Sequence, residues 1–142
     1  MVEASRCLIG HHDSHQCSVG WNLLWVKQLG VGLTITAALS AATDGAGNVL
    51  LTGSTRAGLA GNALTGAQDA FVSKYDTDGN LIWLKQIGAA GVLTGGWAVS
   101  ADYADSVLVS GFTAGGLDGN TLAGLITGSG NTARSVRWNS EA

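Results

Sequence analysis

Cys7, His11, His12, His15 and Cys17 crowd into one stretch near the start of the chain. Thiolate and imidazole are the ligands that zinc takes in tetrahedral structural sites. The spacing, C-x3-H-H-x2-H-x-C, matches no standard finger, and no second half-site follows it. A working centre also needs packed neighbours that orient its ligands. Residues 1–21 therefore read as an irregular tail, in which Cys7, His11, His15 and Cys17 are the only metal candidates.

The other chemistry-bearing groups have plainer readings. Asp76-Thr77-Asp78-Gly79-Asn80 begins like a calcium loop. Its glycine comes at the fourth position instead of the sixth, and Ile87 stands where a glutamate should close the site. Asp, Gly and Asn are also what a tight hairpin turn needs. Trp25 and Trp83 hold equivalent places inside apolar runs, which points to core packing before ligand stacking. Residues 91–96 and 115–119 are glycine-rich but lack a phosphate-loop lysine and a following helix. Asp102 and Asp105 flank a turn. All three histidines lie in the tail, so no Ser/His/Asp set can be proposed. The expectation is a non-enzyme with no catalytic residues and no cofactor.

What must position any site is a repeat. NLLWVKQLG at residues 22–30 returns as NLIWLKQIG at residues 80–88, an offset of 58 positions. Without a gap, residues 22–67 match residues 80–125 at 19 of 46 positions, which structural duplication explains best. The match stops at both ends in the same phase. The segment equivalent to residues 69–79 is missing at 11–21 and at 127–137. Residues 127–142 therefore read as a second irregular tail around a repeat region of residues 22–126.

Composition agrees with short strands and tight turns. Glycine supplies 22 of 142 residues and proline none, and glycine gives positive φ without steric cost. A net charge of −3 with scattered Lys and Arg gives no footprint for nucleic acid or anionic membrane. No apolar run reaches the roughly 18 residues of a membrane span, and no signal peptide is visible. Strands are expected at residues 22–30, 34–43, 49–55, 69–87, 97–102 and 106–113. Apolar residues on both faces imply sheets covered on both sides, and Gly53 marks a bulge or a close approach.

Four strands per unit with two apolar faces describes one blade of a β-propeller. The pattern D-A-F-V-x-K-Y-D-x-x-G-N-x-x-W-x-K-Q-x-G at residues 69–88, with D-x-x-G-N-V-x-x-T-G-S-T at 44–55, resembles the bacterial SBBP-type β-propeller repeat. A second, altered copy of the latter part stands at 102–113, and the resemblance spans Asn22 to Leu125. It implies an all-β fold of four-stranded antiparallel blades, about two of them and incomplete, in a secreted or cell-surface bacterial protein. It implies no defined reaction. Function is then expected to be that of a non-enzymatic structural or binding module meeting protein or glycan. The alternatives are an accessory module of a secreted carbohydrate-active or other enzyme, or a small zinc protein using the N-terminal cluster. Open blade faces and strand edges are liabilities for a lone chain, so self-association or a longer parent chain is expected.

Overall fold

The computed structural model describes residues 22–102, 106–117, 119 and 132–138. Among them there is no helix, and seven strands make two antiparallel sheets. β1 (Thr36–Thr43), β2 (Val49–Thr55), β3 (Asp69–Tyr75) and β4 (Leu81–Ile87) form sheet 1 in chain order. β5 (Thr94–Ala101), β6 (Val107–Thr113) and β7 (Thr132–Trp138) form sheet 2 in the same way. Neither sheet closes into a barrel.

Each hairpin follows from its local sequence. β1 turns into β2 through Asp44-Gly45-Ala46-Gly47-Asn48, where Gly47 takes the positive φ of 83° that such a turn requires. β3 turns into β4 through Asp76-Thr77-Asp78-Gly79-Asn80, with Gly79 at φ 79°. The register of β1 slips between Ala38 and Ser40, so Leu39 is an extra residue opposite Gly53. A Cβ on Gly53 would collide with the Ala37 carbonyl. The same device recurs 58 residues later: β5 slips between Gly96 and Ala98, and Gly111 lies against the Gly95 carbonyl.

Side-chain alternation gives each sheet two faces. Ala42, Leu50, Val72 and Trp83 of sheet 1 pack against Val99, Ala101, Val107 and Val109 of sheet 2. Strand β5 crosses β1, β2 and β3 at this interface, and the Val99 N–H donates to Ser40 Oγ at 3.3 Å. Leu50 and Val72 are fully buried, and each such side chain contributes about 1.5–3 kcal/mol of burial. The opposite face of sheet 1 carries Leu51, Phe71 and Leu84, covered by Leu59 from the β2–β3 loop and by Leu29.

Two parts of the chain depart from the expectation. Residues 22–30 form no strand, and Leu23, Leu24 and Val26 are exposed by 80%, 84% and 71%. Their near-twin β4 is a strand because it pairs along β3. A strand needs a ladder to satisfy its backbone, and the residues before position 22 do not repeat the β3 sequence. The second departure is β7, which stands inside the tail read as irregular. Its pairing with β6 runs from Val107↔Trp138 to Thr113↔Thr132, the counterpart of Val49↔Tyr75 to Thr55↔Asp69. The β6–β7 connection is 18 residues against 13 between β2 and β3, so a fixed offset of 58 passes it by.

Candidate functional site

The polar groups gather at the two ends of the sheets. One end carries the short turns. There the Asp44 carboxylate accepts from the N–H groups of Ala46 and Asn48 and from Asn48 Nδ2, all at 2.8–2.9 Å. Its other partner is Lys74 Nζ at 2.8 Å, in an ion pair whose side chains are only 1% and 8% exposed. Burial pushes the Asp44 carboxyl up, but Lys74, Asn48 and Ala46 together outweigh it and hold the group well below the usual carboxylate range. Charge is therefore retained in a buried ion pair, where an unpaired partner would be costly.

Asp76 repeats this turn in the open. It accepts from the N–H groups of Asp78 and Asn80 and from Asn80 Nδ2, and the Asn80 donors keep its carboxyl below its ordinary value. Its two oxygens serve the hairpin, which is the turn reading of the motif. In the third turn the Ser106 N–H donates to Asp102 Oδ1 at 2.9 Å.

The other end carries the long loops. Asp69, fully buried, accepts from the N–H groups of Thr65 and Gly66 and from Gln86 Nε2. Gln86 also takes the Leu59 N–H and donates to the Ala57 carbonyl. One carboxylate and one amide thus pin the whole β2–β3 loop to the ends of β3 and β4. Gly88 has to be glycine, because any Cβ there would meet the Asp69 carboxylate. Thr55 meets Thr36 at 3.0 Å and caps the start of the loop through Ala57. Thr94 and Thr113 form the matching pair in sheet 2, with Gly115 in the place of Ala57.

The structure separates the two tryptophans. Trp83 belongs to the interface between the sheets. Trp25 is half-buried outside any strand, its ring 6.1 Å from Tyr75, and its Nε1 donates to the Thr77 carbonyl at 3.1 Å. It lies flat enough over Gly79 that no side chain fits there. The glycines at 95 and 96 are likewise packing devices, facing Phe112 and Thr52. The zinc candidates Cys7, His11, His15 and Cys17 lie outside the described residues, as does Asp105. Among the described residues no three metal-ligating side chains converge.

Besides two open depressions, one lined by Asp102 beside Ser100 and Ser106 and one by residues 28–36, two further hollows occur among the described residues. A cleft of about 40 Å³ between the sheets is lined by Ala70, Ile87, Gly95, Phe112 and Leu117 among others. An open groove of about 390 Å³ runs between Leu23, Leu24 and Trp25 on one side and Gly47, Val49 and Thr77 on the other. Neither is lined by a titratable side chain, so neither arranges an acid, a base or a nucleophile.

Reading the sequence alone missed the Asp69–Gln86 latch and the Asp44–Lys74 pair. The signal for each was a charged or amide residue at a fixed place within an apolar strand. Also missed was Ser73, whose buried hydroxyl has no partner among the described residues. It stands in register between Leu51 and Leu84. A scan against protein-family models finds no match to this chain, and neither does a search of the curated proteins.

Proposed function

We propose that the chain is a non-enzymatic structural and binding module built of propeller-type repeats, sheet 1 being one complete blade and sheet 2 most of the next. One observation carries this reading. Residues 58 apart take the same places in two sheets that pack face to face: Gly53 and Gly111 at the bulges, Thr55 and Thr113 at the loop caps. The likeness of residues 44–55 and 69–88 to the SBBP-type repeat supports it, and with it a place in a secreted or surface protein of bacteria.

The polar chemistry supports the same reading. The carboxylates of Asp44, Asp69 and Asp76 are occupied by loop and turn donors, which is architectural work. The end with the long loops is the surface offered to a partner, because the Asp69–Gln86 latch holds the β2–β3 loop in one shape before anything binds. The partner class is protein or glycan, and further repeat units cover the open sheet faces.

The test is to assay the intact chain on a glycan array and an immobilised-protein panel beside glycoside, ester and peptide substrates. Retention without turnover is expected. Turnover that co-purifies with the chain and disappears on changing one described residue would overturn the proposal.

A further inference from the structure

Sheet 2 ends where sheet 1 continues. In sheet 1, β3 pairs with β4; in sheet 2, β7 has β6 on one side and no described strand on the other. The chain nevertheless contains a second β4-like segment. Residues 22–30 (NLLWVKQLG) share six of nine residues with NLIWLKQIG at 80–88, and they pair with no described strand. Among the described residues, a three-stranded sheet with no fourth strand and an unpaired copy of that strand occur together.

They cannot meet within that molecule. Residues 22–30 lie on the face of sheet 1 that carries Phe71 and Tyr75, through Leu29 and Trp25. Sheet 2 covers the opposite face, through Leu50 and Val72. Sheet 1 stands between the segment and the edge it would complete.

We propose that residues 22–30 of one copy of this chain pair antiparallel with the outer edge of β7 in a second copy, completing sheet 2 as a four-stranded sheet. This deepens the repeat-module reading and rests on it. The register follows from sheet 1, where Ala70 faces Ile87, Lys74 faces Trp83 and Tyr75 faces Leu81. Since β7 takes the place of β3 along its neighbour, the same register sets Leu29 opposite Ala133, Trp25 opposite Arg137 and Leu23 opposite Trp138. Each of these pairs keeps the residue types of its counterpart: small with aliphatic, cation with tryptophan, aromatic with leucine. Val26 falls opposite Val136, as Leu84 falls opposite Ser73. Pairing would also give a ladder to a backbone that has none among the described residues, in a segment whose Leu23 and Leu24 are exposed by 80% and 84%. Because donor and acceptor are different surfaces, the contact is head-to-tail and builds a ring or an open array.

The experiment uses the full chain with Cys7 and Cys17 replaced by serine. A Val26→Cys protein is mixed with a Val136→Cys protein under mild oxidation, beside a control in which Val26→Cys meets Ala133→Cys. Register partners lie within disulfide reach, whereas the control positions are about three residues, roughly 10 Å, out of register. The proposal predicts several-fold more intermolecular disulfide in the 26/136 mixture, and its loss when excess NLLWVKQLG peptide occupies the β7 edge. Equal cross-linking in both mixtures, or none in either, would overturn the strand pairing. Folded chains that associate without the 26/136 cross-link would overturn it too, while leaving the stacking of sheets untouched.

Discussion

Sheet 1 and sheet 2 are built from one repeat, yet they are not equally finished. They share the glycine at each bulge, Gly53 and Gly111, and the threonine pair at each loop start, Thr36 with Thr55 and Thr94 with Thr113. They part at the third strand, where Asp69 of sheet 1 is replaced by Thr132 of sheet 2, and the latch acid is lost together with the shorter loop it pins. They part again at their faces. Leu50 is fully buried between the sheets, while its counterpart Leu108 is 45% exposed. Conversely Val107 and Val109 are buried, while their counterparts Val49 and Leu51 are only half so. The difference teaches that burial here belongs to the interface and not to the residue. The outer face of sheet 1 is covered in part by Leu59 and Leu29, whereas Leu108 on the outer face of sheet 2 stays exposed.

The comparison can be broken most severely at the ion pair. Lys74→Met leaves Asp44 charged and buried, which should cost about 3–5 kcal/mol in chemical unfolding. Acid should weaken the native protein in the same place. Because the folded Asp44 carboxyl titrates below its unfolded value of about 3.9, its contribution is intact above that pH and fades as pH falls further. In Lys74→Met this acid loss should shrink.

The bulge glycines come next. Gly53→Ala and Gly111→Ala each drive a Cβ into a backbone carbonyl, at a cost of about 1–3 kcal/mol. If the sheets are truly equivalent, the two variants should lose similar stability, and the double variant should lose the sum of the two within about 0.5 kcal/mol. Asp69→Ala removes the latch that sheet 2 lacks. A loss of about 1–3 kcal/mol is expected from the unpaired Thr65, Gly66 and Gln86 donors, with hydrogen exchange rising in the β2–β3 loop and unchanged in β5 and β6. The smallest effect belongs to Ser73, whose hydroxyl has no partner among the described residues and whose place in sheet 2 is taken by Val136. Ser73→Val should leave stability unchanged or raise it by about 1 kcal/mol, since a buried hydroxyl without a partner is removed.

Much of the fold was legible in the sequence because its signals are local. The Asp/Gly turns, the alternation at 49–55 and 69–87 and the glycine at 53 each name a structure within a few residues. What was not legible depended on partners. Residues 22–30 and 80–88 are almost the same string, and only the presence of β3 decides that one is a strand. Strand β7 was hidden because a loop longer by five residues broke the offset, although Ala133, Arg137 and Trp138 keep the types of Ala70, Lys74 and Tyr75. The latch was hidden for a similar reason: Asp69 and Gln86 lie 17 residues apart, and only pairing of β3 with β4 brings them together.

In the proposed reading, further units complete the open faces and edges of this repeat chain. The most direct test of that reading is the molar mass of the folded chain in solution, followed by light scattering as concentration rises. The expected result is a mass that climbs in multiples of 14.3 kDa while the β-sheet circular dichroism stays constant. A folded species that remains at the mass of one chain across the whole range would contradict it.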